Sequence, residues 1–554
     1  MATRLRIQFC AWNRRPSGEV NSCFTTLCEI LKGDGAGMQT PLMTLDWTII
    51  LVYLGALIAS SIWLSRTRSA SMQDYFLGGQ RMPSWLVMFS VIATTQSAAT
   101  FLGGPDYGYR GDFTYVGSFV GSAMAAAFVA RFLIGRFYEL KVTTVYELLE
   151  KRYGPSAKQA AGAMYLVGRV FANGARLYMA ALAVSMMLFL NVAPASVVFA
   201  ALLIAGIALG MTLFGGVRSV IWSDFGQFIV YFGAALVALI SLWSMLSLTP
   251  GEAYSALSQT HDGTNKLLLF DFSMDLSKPF TFWAIITGVF LLNLGNFGLD
   301  QDTTQRLLTC SDRKQSGRAL VMSAIVAVPI VTVFVLIGQL LHLFYDRPDL
   351  TAGGSAIGEF DGEKITVFMS YILNEMPPGV RGLAVAGVVA AAISTMTSGL
   401  NAMSSVLVVD FYRPFREARG GVSSHHYVAA GRWGMLFFAL SLSGMAVLCF
   451  YWQRYTDMPL IEFALSVMAF AYAGLIGVFF TAVFTSRGSA NSVIAALIVG
   501  FLVILIQQSY IVDSLGLPYV FKSLAFPWQL VIGVTIATLV CMAGAPRHKT
   551  NNVG

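Results

Sequence analysis

Long apolar runs, each of the ~20 residues that a helix needs to cross a bilayer, recur from one end of the chain to the other. About thirteen are read, near 45–65, 83–103, 114–138, 158–190, 194–214, 220–248, 279–299, 318–344, 378–411, 427–452, 458–484, 489–509 and 526–545. Lipid offers no water to satisfy backbone N–H and C=O groups, so a spanning segment is a helix or a strand of a closed barrel. The runs are rich in Leu, Ala, Val and Gly and lack the ten-residue alternation of a barrel, which leaves helices. Composition agrees: 56% of residues are hydrophobic and 12% charged, against roughly 25% charged in a soluble domain. The sequence predicts an all-α polytopic membrane protein. The longest soluble stretches, roughly 249–278 and 345–377, hold no separate domain.

The formal net charge of +7 fits basic cytoplasmic loops and needs no nucleic acid as partner. With alternating spans, one side collects Arg66, Arg68, Arg136, Lys141, Lys151, Arg152, Lys158, Arg218, Arg306, Arg313, Lys314, Arg413, Arg416 and others. That side is read as cytoplasmic, with the C-terminus on it. Residues 1–42 are basic and lack a signal-peptide core. They are read as a disordered or mis-assigned start, with Met43 the expected initiator. Residues 43–546 form one expected transmembrane domain, and 547–554 a short tail. The six cysteines form no CxxC pair and His425–His426 lies in a polar loop, so neither offers a metal framework.

Polar groups at bilayer depth are costly and tend to face a bundle interior. The run AAAISTMTSGLN at 390–401 places Ser394, Thr395, Thr397 and Ser398 within five residues. Helical spacing puts Ser394, Thr397 and Ser398 on one face and Thr395 about 100° away. Hydroxyl and carbonyl oxygens suit a hard cation; close helix packing is the other reading. A second polar segment, IATTQSAATFLGGPDYGY, carries Thr94, Thr95, Gln96, Ser97 and Thr100, followed by Gly103-Gly104-Pro105. A third, LLNLGNFGLDQDTTQR, has Asn293, Asn296, Gly295 and Gly298 before Asp300 and Asp302. Interrupted spans in corresponding positions of two halves build midplane sites in secondary transporters. These two stand five spans apart, counting from the second to the seventh, as a five-plus-five inverted repeat would require.

Asp224 lies about one turn into a span, where a carboxylate is a functional candidate. An interfacial Asp partnered by Arg218 is the alternative. Arg169 and Arg176 share another span. Arginine suits bidentate carboxylate recognition, and the sequence does not decide which of the two faces a cavity.

Together DYFLGGQRMPSW, TTVYELLEKRYG, GGVRSVIWSDFGQ, DQDTTQRLL and AAAISTMTSGLNAMSSVLVVDFYRPF resemble the sodium:solute symporter family over about residues 45–545. The resemblance implies a LeuT-type fold of ten core helices, with one extra helix before the core and two after. It implies a shared sodium site from the carbonyls of Ala93, Gln96 and Ala391 and the hydroxyls of Ser394 and Thr395. The sequence is most similar to the bacterial sialic acid symporters. That branch implies a second sodium at Asp224, Ser394, Thr397 and Ser398, hence two coupling ions. It also implies a solute site at Thr95, Ser97, Thr100 and Arg169. Phe119 stands where that branch has a sugar-contacting glutamine, which puts sialic acid itself in question.

The expected function is sodium-coupled import of a small organic solute, sialic acid or another carboxylated one, by alternating access in a bacterial inner membrane. A neutral solute, or proton coupling through Asp224, is the alternative. The chain is expected to work as a monomer. An intramembrane enzyme is disfavoured, because no membrane His accompanies the serines and neither HExxH nor GxSxG occurs.

Overall fold

The computed structural model describes residues 42–65, 71–260, 263–347, 349–351, 359–360, 363–421, 423–452, 460–516, 518 and 520–545. The readings of 1–42, apart from Leu42, and of 547–554 fall outside them. The apolar runs fold into helices, the geometry that closes backbone hydrogen bonds within a segment. In chain order they are α1 (Thr44–Ser65), α2 (Ser84–Thr95), α3 (Ala98–Arg110), α4 (Thr114–Leu140), α5 (Pro155–Val184), α6 (Pro194–Leu213) and α7 (Gly215–Met245). There follow α8 (Phe282–Gly298), α9 (Gln301–Leu307), α10 (Arg313–Asp346), α11 (Val380–Val406), α12 (Ser424–Trp452), α13 (Leu460–Phe484), α14 (Ala490–Ile506) and α15 (Phe526–Met542). Among the described residues the strands are a two-residue hairpin, Glu359–Phe360 against Glu363–Lys364.

Nine of these helices are long and apolar enough to cross a membrane, or eleven if each bent pair, α2–α3 and α8–α9, counts as one span. The last two expected spans fall on α14 and α15, of 17 residues each. At 1.5 Å per residue these reach about 26 Å, a little less than the ~30 Å hydrocarbon core. Peripheral helices turn large apolar side chains outward: Leu51, Val52 and Trp63 on α1, and Trp433, Leu440 and Leu448 on α12, are all more than half exposed. In water such faces would be a liability; against lipid they are the expected surface. At the centre, α5 and α11 are almost wholly buried. The most extensive helix contact is between the α6–α7 segment (Pro194–Met245) and α11, and α11 also touches α1, α2, α5, α9 and α12.

Both interrupted spans are broken, though not where the glycines suggest. The axes of α2 and α3 meet at 66°, and those of α8 and α9 at 56°. The first break is at Gln96 (φ −85°, ψ 126°) and Ser97 (φ −129°, ψ 177°), both extended. Gly103-Gly104-Pro105 lies inside the continuous helix α3. It is a packing seam: a Cβ at Gly104 would stand 3.0 Å from Phe334 on α10, and one at Gly338 on α10 would collide with the Pro105 carbonyl. The second break falls after Gly298, at the extended Asp300, which caps α9 by accepting the Asp302 N–H at 3.0 Å.

A third irregularity lies at the start of α7, just after α6 ends. Gly216 has φ 61° and ψ −166°, a region essentially reserved for glycine, and a Cβ there would lie 2.6 Å from the Tyr75 carbonyl oxygen. Gly216→Ala should therefore destabilise the fold by about 1–3 kcal/mol, seen as a lower unfolding temperature in detergent; an unchanged temperature would refute the constraint.

Candidate functional site

The break in α2–α3 fixes what its neighbours can bind. The last carbonyls of a helix lack intrahelical donors, and the extended Gln96 and Ser97 end the ladder at mid-bundle. Helix α11 passes beside this break. Ser394 Oγ lies 3.3 Å from the Ala93 carbonyl oxygen and donates to Asp224 Oδ1 at 2.8 Å. A hydroxyl has one proton. When the Ser394 hydroxyl donates to Asp224, its lone pairs and the Ala93 carbonyl oxygen are two neighbouring hard donors of the kind that suits a cation. Thr395 Oγ1 donates to the Ala391 carbonyl at 3.0 Å. The structure thus joins Ala93 to Ser394 and Ala391 to Thr395, and sets Gln96 on the break itself. All five are buried, and their carbonyl and hydroxyl oxygens are hard donors.

Asp224 is fully buried on α7, so the interfacial alternative with Arg218 does not hold. Its partners are Ser90, Ser394 and Arg306. Thr397 Oγ1 and Ser398 Oγ both donate to the Ser394 carbonyl, at 3.0 and 2.6 Å. Thr94 Oγ1 lies 3.3 Å from Ser398 Oγ. The oxygens expected to hold a second sodium are therefore together, but the Arg306 guanidinium is among them: its Nη2 contacts Asp224 Oδ2 at 3.2 Å and also Ser398 Oγ. Charge counting along the sequence had placed Arg306, like Lys158, in a cytoplasmic stretch; both are buried.

A cavity of about 90 Å³ opens at the break, lined in part by Thr95, Gln96, Ser97, Thr100 and Phe119. The expected solute contacts Thr95, Ser97, Thr100 and Phe119 are thus brought together. Tyr115, Phe280, Ser118, Ser122, Asn293 and Asn296 add aromatic and neutral polar groups. Tyr115 meets Phe119 and Phe280 with ring centroids 5.9 and 5.2 Å apart.

Arg169 is not in the lining. Its Nη2 is 3.0 Å from Asp300 Oδ2 and 2.7 Å from Asp302 Oδ2, and the hydroxyls of Tyr472 and Tyr165 donate to the same two carboxylates at 2.5 and 2.9 Å. Arg176, two turns further along α5, lines the cavity instead. It is buried, donates to Met468 Sδ at 3.3 Å, and has no ion pair among the described residues.

Residues 75–500 match the sequence profile of the Sodium:solute symporter family. The chain belongs to that family. It is 26% identical over 515 residues to the sodium/sialic acid symporter NanT of Aliivibrio fischeri, covering 92% of this chain and 94% of the relative. It is 24% identical to a sodium/glucose cotransporter of Vibrio parahaemolyticus, over 83% of this chain and 85% of that one. A solved Na⁺-coupled sialic acid symporter, substrate-bound and outward-open with a novel Na⁺ site, superposes with a TM-score of 0.75 at 23% identity, over 92% of this chain and 99% of that one. The expected LeuT-type fold is therefore present, and the protein is a sodium-coupled membrane symporter. The family and these relatives are transporters.

Within this symporter, sequence reasoning missed Arg306, Tyr115, Ser118 and Ser122 as site residues. The DQDTTQR run did carry a signal for Arg306: seven residues dense in charge and hydrogen-bonding groups at a break. Arg169, by contrast, closes a buried ion pair. Removing one partner of such a pair costs ~3–5 kcal/mol. Arg169→Met should therefore sharply lower the unfolding temperature in detergent, and an unchanged temperature would contradict its pairing with Asp300 and Asp302.

Proposed function

We propose that this symporter imports a small organic anion, with sialic acid the first candidate, recognised through Arg176 and driven by sodium at Ala93, Gln96, Ala391, Ser394 and Thr395. Arg176 carries the reading. It is a buried guanidinium without an acidic partner among the described residues, and it lines the cavity beside Thr95, Ser97 and Thr100. An unpaired buried charge is costly, and a carboxylate is the ligand its planar fork suits. The names of the sialic acid symporters among the relatives point the same way, and the sodium/glucose cotransporter points to a neutral sugar. Phe119 gives the ring or chain of the solute an apolar wall in place of a hydrogen bond. A neutral sugar is the second reading, because Asn293, Asn296 and Ser122 offer uncharged polar groups around the same space.

Sodium from outside would tie α2 to α11 and so order the break that also carries Thr95 and Ser97. Each sodium entering down a ~100 mV potential supplies about 2.3 kcal/mol. The Lys and Arg bias of the loops supports a cytoplasmic C-terminus in a bacterial inner membrane. Residues 43–546 act as one transport domain, working as a monomer.

Uptake into proteoliposomes under an inward sodium gradient tests this, with N-acetylneuraminate, a neutral hexose, proline and a short monocarboxylate offered and potassium replacing sodium as control. Sodium-dependent uptake of N-acetylneuraminate is expected. Arg176→Gln should cut its kcat/KM by about 10–100-fold, as loss of a charged hydrogen bond worth ~1.5–3 kcal/mol implies. Uptake of the hexose alone, indifferent to Arg176→Gln, would overturn the anion reading. Thr395→Ala should abolish the sodium dependence of whichever solute is carried.

A further inference from the structure

No fully buried side chain among the described residues is larger than Arg306, and neither solute recognition nor the Ala93–Ser394 sodium site uses its charge. It reaches from α9 into the group of oxygens around Asp224. Nε lies 3.3 Å and Nη2 3.2 Å from Asp224 Oδ2. Nε also donates to Ser90 Oγ at 2.8 Å, and the Ser90 hydroxyl donates to the same Oδ2 at 2.5 Å. Nη2 donates to Ser398 Oγ, and Nη1 to the Asp302 carbonyl at 2.6 Å.

These oxygens do not fit a second sodium as arranged. A coordinated ion needs lone pairs converging on one point, yet Oδ2 already accepts from Ser90 and two guanidinium nitrogens, and Ser398 Oγ accepts from Nη2. The hydroxyls of Thr397 and Ser398 turn back to the Ser394 carbonyl as Thr395 does to Ala391, so the guanidinium contacts are what weigh against an ion here. Asp224 carries one negative charge and Arg306 one positive, so the cluster is neutral without an ion. A sodium beside Ser398 would stand within a few ångströms of the guanidinium, where burial leaves the repulsion poorly screened.

We propose that Arg306 is a tethered cation that takes the place of the second sodium, so that the symporter binds one sodium per chain and this arginine sets the coupling stoichiometry. The inference rests on the sodium site proposed at Ala93 and Ser394, and it explains a feature of that site. Arg306 keeps Asp224 in place to accept the Ser394 hydrogen bond, which leaves the Ser394 lone pairs for the ion at Ala93.

Equilibrium binding of radioactive sodium to the purified full chain in detergent, counted per chain, tests it. The wild type should bind one sodium and Arg306→Gln two. Arg306→Gln combined with Asp224→Asn should return to one, and Arg306→Lys should stay at one. Two sodium ions on the wild type would overturn the proposal, and that count needs no variant to fold. One sodium on an Arg306→Gln protein that keeps its unfolding temperature would overturn it as well. Thr395→Ala reports separately on the underlying site: it should lose the wild-type sodium. Retention there would reject the Ala93–Ser394 site, while the difference between wild type and Arg306→Gln would still judge Arg306.

Discussion

The short helix α9 ties the surrounding elements together, because its charges have nowhere else to go. All seven of its residues, Gln301 to Leu307, are buried. In that setting each charge needs a partner from protein. Arg169 of α5 answers Asp302 and the capping Asp300. Asp224 of α7 answers Arg306. Gln301 bonds the Thr143 carbonyl at 2.8 Å, and Gln305 the Phe76 carbonyl at 2.7 Å. The helix is thereby tied to α5, α7, α13 and the segments before α2 and α5. Alternating access that moves α9 must break or carry along these bonds together. Such a set favours two discrete arrangements over a continuum.

Much of this was legible in the sequence, for a physical reason. A bilayer forces helices wherever apolar runs are long enough, so the helices follow from length and composition. Polar residues inside those runs mark the interior of the bundle, so Thr95, Ser97, Thr100, Ser394 and Asp224 could be singled out. What failed concerned depth and partner. Arg169 and Arg176 are seven residues apart, two turns along one face, so periodicity gives them the same direction. Only the height of Asp300 and Asp302 in the assembled bundle separates the paired arginine from the one at the cavity. Arg306 was counted with the loops because an arginine after a span normally sits in one. The break that folds it back inside is a tertiary fact. Gly103-Gly104-Pro105 misled similarly: the glycines serve the seam between α3 and α10, and that packing holds the helix continuous through Pro105.

The two sites are joined through very few atoms. Ala93 and Gln96 belong to the proposed sodium site, Thr95, Gln96 and Ser97 line the cavity, and all four lie within one five-residue stretch around the break in α2–α3. Sodium that fixes the carbonyls of this stretch also fixes the hydroxyls offered to the solute. By linkage the solute must then raise the affinity for sodium by the same factor. Ser394 extends the connection to Asp224 and, through it, to Arg306 and α9. One serine hydroxyl, donating to Asp224 and lying 3.3 Å from the Ala93 carbonyl oxygen, thus stands between the proposed sodium site and Arg306. Coupling here needs no long pathway. The break, the hydroxyl helix α11 and the buried helix α9 meet at a single point, so an ion bound there biases the position of all three.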